Sequence, residues 1–316
     1  MPDYLKAGLT ALAVALISEP FLIPALRRFK FGQFIRQEGP QSHLTKSGTP
    51  TMGGIMFLIA IPAAMFFAGK VGMESFLALY LVLAMGLLGF IDDYLKIKKR
   101  QSEGLTSKQK FIGQIIVALI FAAVLWWMKG GRVWFPFANR FYDIGILYIP
   151  VAVFIIAATV NGVNFTDGLD GLCSGVTFFV ALAFLLLCRA WGLSQLTWFA
   201  ASLAGSCLGF LFFNLHPARV FMGDTGSLAL GGAVAALALL TGTEFLLPLL
   251  GVVYVVEVLS VILQVGYFRL TGGRRLFRMA PLHHHFELCG WNESQVDIAF
   301  WFLTALVSLI FLGILI

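Results

Sequence analysis

The stretch Phe76-Leu-Ala-Leu-Tyr-Leu-Val-Leu-Ala-Met-Gly-Leu-Leu-Gly-Phe-Ile91 carries no charge, and two aspartates, Asp92 and Asp93, follow it at once. Runs approaching 20 apolar residues are typical of transmembrane helices. Apolar runs of this kind recur along the 316 residues, of which 59% are hydrophobic and 12% are charged. Together with a mean hydropathy of +0.89, this composition excludes an ordinary soluble domain.

The apolar runs predict an all-α integral membrane protein, a bundle of about ten transmembrane helices in one domain spanning residues 1–316. The predicted spans are Leu5–Leu26, Thr51–Phe67, Phe76–Ile91, Phe111–Met128, Gly145–Val160, Val176–Ala190, Leu196–Phe213, Leu228–Leu240, Phe245–Phe268 and Val296–Ile316.

The basic residues predict the orientation of the bundle. The loops after the odd-numbered spans hold 16 of the 22 lysines and arginines, and the remaining six lie on the other side. Because positively charged loops stay in the cytoplasm, both termini are expected outside.

Four polar sequences stand at or beside the ends of apolar runs, and this orientation places all of them on the cytoplasmic face. They are Gly89–Lys96, Asn161–Gly171, Phe221–Ser227 and Met279–Glu287. A charged residue costs roughly 2.5 to 3.5 kcal/mol at the centre of a membrane helix on insertion scales. The aspartates in these sequences therefore indicate a functional site, and we expect a metal-assisted reaction at the membrane surface.

The first and third sequences predict a magnesium site. Adjacent carboxylates such as Asp92 and Asp93 hold magnesium or take a proton from a nucleophile, and Asp224 between two glycines suits a metal shared with a diphosphate. The alternatives are an acidic pair neutralised by Lys96 at the end of the third helix, and a helix cap formed by Asp224 or Ser227.

The second sequence predicts a recognition surface for a nucleobase or a sugar. Asn161, Asn164 and Asp167 recur every three residues, which places them on one face of a helix, and Asp170 extends the series. Glycines such as Gly168 permit a ligand to approach the backbone closely. The alternative is a polar stripe that serves a neighbouring helix.

The fourth sequence places His283, His284 and His285 in a long cytoplasmic loop. We expect one of them to contact phosphate or transfer protons, and the other two to be oriented by packing. The carboxylate of Glu257 in the ninth span is expected in a buried polar pair and receives no role.

The net charge of +6 has two interpretations, a topology signal or a surface that gathers polyanionic substrates. Lys46, Lys96 and Lys108 stand among the motif residues and are candidate substrate contacts under the second interpretation. The four cysteines have no metal-ligand spacing, so we expect free thiols, with Cys173 and Cys289 in loops.

The motifs together resemble a known family. The stretch Ser42-His-Leu-Thr-Lys-Ser-Gly-Thr-Pro-Thr-Met-Gly-Gly54 and the four polar sequences occur in the order found in the bacterial phospho-N-acetylmuramoyl-pentapeptide transferases. These enzymes belong to the polyprenyl-phosphate N-acetylhexosamine-1-phosphate transferases, and the resemblance runs from about Pro20 to the C-terminus.

The resemblance implies a reaction in which UDP-MurNAc-pentapeptide and undecaprenyl phosphate give lipid I and UMP. It implies Mg²⁺ as cofactor, the bacterial cytoplasmic membrane as location, membrane lipid as surroundings, a homodimer, and no nucleic-acid partner. It does not decide between direct transfer and a covalent enzyme intermediate.

The resemblance also implies roles for individual residues. Asp224 matches the magnesium ligand, Asp92 the residue that activates the lipid phosphate, and Asp93 its essential neighbour. The positions that match the nucleoside pocket are Asn164, Asp167, Gly168, Leu169, Asp170, Asn214 and Phe221. The positions that match the surroundings of the substrate or its inhibitors are Lys46, Thr51, Gln264, Ala280 and His284, with His283 and His285 beside them.

Two other classes of protein use similar residues. An intramembrane prenyltransferase also combines aspartates with magnesium, but it needs two Asp-rich motifs, and here the motif Phe221–Ser227 has a single aspartate. A transporter places charges near the bilayer midplane or breaks helices in both halves, whereas these motifs gather on one face.

Overall fold

The computed structural model describes residues 2–28, 48–69, 71–101, 103–135 and 140–315. Nine of the helices in these ranges are long and apolar enough to cross a membrane, and α2 is apolar but shorter. This confirms the prediction of a multi-pass helical protein with about ten apolar helices. The helices are α1 Asp3–Arg28, α2 Ile55–Phe67, α3 Met73–Lys99, α4 Ser107–Lys129, α5 Tyr148–Thr166, α6 Leu172–Ala190, α7 Ser194–Asn214, α8 Gly223–Thr241, α9 Leu247–Leu250, α10 Val252–Leu270, α11 Leu282–Leu288 and α12 Glu293–Leu315.

Two features depart from a purely helical series of ten spans. A hairpin of β1 (Arg132–Phe135) and β2 (Arg140–Asp143) joins α4 to the turn before α5. The ninth predicted span is divided into α9 and α10 at Gly251, where a Cβ would lie only 2.8 Å from the ring of Tyr254. The close approach of that ring favours glycine at the break.

The segment between α10 and α12 carries the three histidines, and within it they form part of the short helix α11. One local prediction was wrong. Cys173 is buried in the first turn of α6, because that helix begins at Leu172, four residues before the predicted start of the sixth span.

Helix α8 forms the centre of the bundle, and every residue from Thr225 to Leu240 is buried. It packs most extensively against α3, and α5 lies on another side of it. Gly232 lies against the backbone of Leu81 in α3, and Gly231 against Val160 in α5. Small residues let membrane helices approach closely, so the polar ends of α3 and α5 are brought to the first turn of α8.

We call one end of the bundle the site face: α3, α5 and α7 end there, and α2, α4, α6, α8 and α12 begin there. Contacts between Asp92 and Leu105, between Gly54 and Met222, and between Gly171 and Asn214 join these helix ends. The polar sequences therefore meet at one face of the bundle. That this face is cytoplasmic stays a prediction from the basic residues.

Candidate active site

Asp224 lies in the first turn of α8, where a negative charge is favoured by the helix dipole. Its Oδ2 atom lies 2.5 Å from Lys96 Nζ and 3.0 Å from Lys110 Nζ. Its Oδ1 atom accepts a hydrogen bond of 2.7 Å from the amide of Asn164. One carboxylate thus connects α3, α4 and α5 at the start of α8.

Asp93 supplies the cap of α8 from a different helix. Its Oδ1 accepts from the backbone N–H of Asp224 at 3.2 Å, and its Oδ2 accepts from the N–H of Thr225 at 2.8 Å. The Thr225 hydroxyl donates to the same Oδ2 at 2.7 Å. The first N–H groups of a helix need partners outside it, and Asp93 fills that role here. The carboxylate of Asp224 is therefore not needed as the cap.

Asp92 and Asp93 do not end their helix, because α3 continues to Lys99. Asp92 is only 2% exposed, and its Oδ2 lies 2.6 Å from Lys96 Nζ, while its Oδ1 accepts from the N–H of Leu105 at 2.7 Å. Oxygen atoms of Asp92, Asp93 and Asp224 lie within 4.8 Å of one another. The three carboxylates form a compact, all-oxygen donor set of the kind that a hard cation prefers.

The second lysine of this carboxylate cluster is Lys110, which the sequence interpretation passed over in favour of Lys108. Lys108 is exposed in the first turn of α4, whereas Lys110 is partly buried. Lys110 shares a helical face with the buried residues Gln114 and Ala118 at four-residue spacing. This four-residue periodicity is the feature of the sequence from which Lys110 could have been predicted.

The segment 50–54 lies alongside the segment 221–224. The N–H of Gly53 donates to the carbonyl of Phe221 at 2.9 Å, and the N–H of Phe221 donates to the carbonyl of Pro50 at 2.9 Å. The hydroxyl of Thr51 borders this pairing, near the backbone beside Asp224. Lys46 lies outside the described residues.

The predicted ladder on α5 divides between two partners. Asn164 contacts Asp224, but the Asn161 amide donates to Gln114 in α4 at 2.8 Å. For Asn161, this contact agrees with the alternative interpretation, a polar stripe that serves a neighbouring helix. The carboxylate of Asp167, just after α5, makes no hydrogen bond within the described part of the chain. Burial, and then repulsion from nearby carboxylates including Asp224, raises the pKa of Asp167 well above its usual range.

The turn between α5 and α6 is tied to the loop between α7 and α8 by Asp170. Its Oδ2 lies 3.0 Å from His216 Nδ1 and accepts from the N–H of Ala218 at 3.1 Å. Glu293, at the start of α12, lies 3.6 Å from the same histidine nitrogen. His216 and Glu293 were missed from the sequence, although both flank apolar runs at the site face.

Asn214 strengthens the same connection. Its side-chain oxygen accepts from the N–H of Gly171 at 3.0 Å, and its amide donates to the carbonyl of Val220 at 2.9 Å. Asn214 is buried, and so is Leu169 in the turn. Asn214 therefore orients the loop that carries Phe221.

The histidines of α11 have three different environments. His283 is buried beside Glu257, His284 Nδ1 lies 2.7 Å from Glu287 Oε2, and His285 Nδ1 accepts from the N–H of Arg278 at 3.1 Å.

The segment before α11 is held on α10 by Gln264. Its side-chain oxygen accepts from the N–H groups of Leu276 and Phe277 at 3.0 and 2.9 Å. Partly buried Ala280 follows in the same segment.

Two protein-family models match the chain. The model of the family described as Glycosyl transferase family 4 matches residues 75–242, and the phospho-N-acetylmuramoyl-pentapeptide-transferase signature 1 matches residues 46–58.

Three similar proteins carry the name phospho-N-acetylmuramoyl-pentapeptide-transferase. The protein of Heliobacterium modesticaldum is 55% identical over 100% of this chain and 98% of its own length. That of Moorella thermoacetica is 49% identical over 98% of both chains, and that of Clostridioides difficile is 47% identical over 95% of this chain and 94% of its own. Similarity at this level, over nearly the full length, places the chain in the phospho-N-acetylmuramoyl-pentapeptide-transferase family, within glycosyl transferase family 4.

Proposed function

We propose that the cluster of Asp92, Asp93, Asp224, Lys96 and Lys110 is the centre at which this chain transfers phospho-MurNAc-pentapeptide from UDP-MurNAc-pentapeptide to undecaprenyl phosphate. The products are lipid I and UMP. The observation that carries the proposal is the convergence of three buried or partly buried carboxylates and two ammonium groups at one helix end.

The donor set fits Mg²⁺, which takes one or two carboxylates together with phosphate oxygens and water. Asp224 is the ligand we assign, since its Oδ2 lies within 3.0 Å of two flexible lysine ammonium groups, whereas both oxygens of Asp93 accept from backbone N–H groups of α8. When bound, magnesium supplies neutralisation of the diphosphate charge.

The transfer itself proceeds by direct attack. An oxygen of the lipid phosphate forms a bond to the β-phosphorus, the bond from that phosphorus to the bridging oxygen breaks, and the bridging oxygen leaves with UMP. Phosphoryl transfer mainly needs positioning and charge stabilisation. Lys96 and Lys110 supply positive charge, and Asp92 accepts the proton of a singly ionised lipid phosphate.

The nucleoside is bound between the turn 167–171 and Phe221. The backbone of Gly168 and Leu169 faces the base, the ring of Phe221 stacks on it, and Asp167 accepts from a sugar hydroxyl. The free hydrogen-bonding capacity of Asp167 supports this role. Asp170 and Asn214 hold the two halves of the pocket together.

The remaining contacts involve the phosphates and the sugar. We assign them to His284, which follows His283 on α11, to Gln264 on α10, and to Ala280 in the segment that leads to α11. Thr51 borders the same centre. Asn161 and Lys108 stay sequence predictions, because Asn161 contacts Gln114 and Lys108 is exposed.

The chain is a multi-pass protein of the bacterial membrane, and its lipid acceptor reaches the centre from the bilayer. We expect the site face in the cytoplasm, where the UDP-linked donor is available. A homodimer is the oligomeric state that the family resemblance implies, and mass measurement of detergent-solubilised protein tests it.

The decisive experiment measures UMP release by purified protein from UDP-MurNAc-pentapeptide, with undecaprenyl phosphate and Mg²⁺ present. We expect release that depends on both the acceptor and the metal, and little release from other UDP-sugars. A prenyltransferase or a transporter would release no UMP, which would overturn the proposal.

Omission of the lipid acceptor separates direct transfer from a covalent intermediate. On direct attack, delipidated protein neither releases stoichiometric UMP nor exchanges labelled UMP into the donor. Exchange that persists without lipid phosphate and disappears in Asp92→Asn would instead make Asp92 the nucleophile.

A further inference from the structure

Glu257 is a fully buried carboxylate on α10 that the transfer chemistry does not use. The cost of placing a carboxylate within an apolar helix implies a partner that compensates it. Its contacts identify that partner as the start of helix α11.

Glu257 forms the N-terminal cap of α11 from a neighbouring helix. One carboxylate oxygen accepts from the N–H of Leu282 at 2.8 Å, and the other accepts from the N–H of His283 at 3.2 Å. The residue before the helix, Pro281, makes no side-chain cap of its own. Unpaired N–H groups at a buried helix start are costly, so Glu257 determines where α11 begins.

The same carboxylate contacts the ring of His283, whose Nδ1 lies 3.2 Å from Glu257 Oε2. On its other side the ring lies against Gly168, where a Cβ would overlap the Nε2 atom. His283 is only 1% exposed. The ring is thus wedged between α10 and the turn that follows α5.

We propose that Glu257 is a positioning residue for the transferase reaction, acting through His283 on the turn at Gly168. It sets the distance between α11, which carries His284, and the nucleoside-binding turn. The inference rests on the proposed function, because it assumes that this turn and α11 bind the UDP-linked donor. Glu257 does not itself touch the reacting atoms.

A positioning role predicts a selective effect on the donor. Glu257→Ala should raise the KM for UDP-MurNAc-pentapeptide and weaken UMP binding, both by about tenfold, as expected for a charge-assisted hydrogen bond. The KM for undecaprenyl phosphate should not change. Glu257→Gln, which retains the shape and one acceptor oxygen, should lie between Glu257→Ala and the unsubstituted protein.

The matched control is Ser260→Ala. Ser260 is buried nearly one turn further along α10, and its hydroxyl donates to the carbonyl of Glu257 at 2.7 Å. This control should leave both KM values unchanged.

Coupling between the two side chains is tested by combining Glu257→Ala with His283→Ala. If Glu257 acts through the histidine, the double variant should bind UMP about as weakly as the weaker single variant. Independent effects would multiply instead, and a multiplied loss would overturn the proposal.

A merely structural role has a different signature, namely a lowered unfolding midpoint and fewer active molecules, with both KM values unchanged. That outcome would also overturn the proposal. Failure of the proposed function is recognised separately, since the unsubstituted protein would then release no UMP from the donor. The coupling of Glu257 to His283 would in that case still be measurable in the unfolding midpoints of the same variants.

Discussion

The ammonium group of Lys110 lies 3.0 Å from the carboxylate of Asp224, across the gap between the first turn of α4 and the first turn of α8. The same ammonium reaches the side-chain oxygen of Asn164 at 3.3 Å. Lys108, two residues earlier on the same helix, is exposed. The two lysines therefore form a natural pair of test and control.

Lys110→Met should lower kcat about 100-fold, the typical loss when one group that stabilises developing charge is removed. Lys108→Met should leave kcat nearly unchanged. Both variants are measured by UMP release at saturating donor and acceptor. Equal losses in the two variants would show that the position of Lys110 beside Asp224 has no special role.

Asp224→Asn should reduce magnesium-dependent turnover by about a thousandfold or more, because a single direct ligand accounts for several kcal/mol of charge stabilisation. The protein should remain folded and should still bind UMP. Asp143→Asn, on the hairpin at the opposite face, serves as the control. Retention of most activity in Asp224→Asn at ordinary magnesium concentration would assign this carboxylate a purely structural role.

Gly54→Ala should destabilise the start of α2. An added Cβ would lie 2.7 Å from the carbonyl oxygen of Met222 and still closer to the backbone of Gly226. Overpacking of this kind costs about 1–3 kcal/mol. At Gly266 on α10, a Cβ meets nothing within 4 Å in the described structure, so Gly266→Ala is the control. The unfolding midpoint should fall only in the first variant.

The stability of the fold should depend on Glu244, which follows α8 and is 4% exposed. Burial away from water raises its pKa from 4.5 to about 7. The Tyr148 hydroxyl, which donates to it at 2.9 Å, and the charge of Lys129 lower the pKa, but less than burial raises it. The folded state therefore holds the proton more tightly than the unfolded state. The contribution of Glu244 to the free energy of unfolding should therefore be largest below pH 4.5 and should fall as the pH rises to about 7.

Over this pH range the free energy of unfolding should fall by about 3 kcal/mol, because a shift of one pKa unit corresponds to about 1.36 kcal/mol. Unfolding midpoints between pH 5 and 8 should fall less in Glu244→Gln than in the unsubstituted protein. The exposed Glu103 provides a control in Glu103→Gln. Identical pH profiles for all three proteins would contradict the assignment.

The orientation in the membrane is tested by single cysteines. Cys173, Cys188 and Cys207 are buried, so replacement of the exposed Cys289 by serine gives a suitable background. Ser107→Cys, at the site face, should react with an impermeant thiol reagent only from the cytoplasm. Ser194→Cys, at the opposite face, should react only from outside, and labelling of both from one side would refute the predicted topology.

The sequence by itself determined the class of fold and predicted the three aspartates of the candidate site, although it did not identify Lys110. Uncharged runs such as Phe76–Ile91 have few stable arrangements in a bilayer other than helices, because their backbone groups must be paired within the segment. The polar motifs at the ends of these runs predicted a site that includes Asp92, Asp93 and Asp224, because charged residues close to the bilayer are costly and need a functional reason.

Only the tertiary structure decided which side chains meet. Asp93 caps α8, Asn161 donates to Gln114, and Glu257 caps α11, and each of these contacts joins two different helices. Local periodicity describes one helix at a time, whereas these contacts depend on how closely neighbouring helices pack. The glycines of α8 allow α3 and α5 to pack closely against it. This close packing brings the polar ends of these helices together in one site.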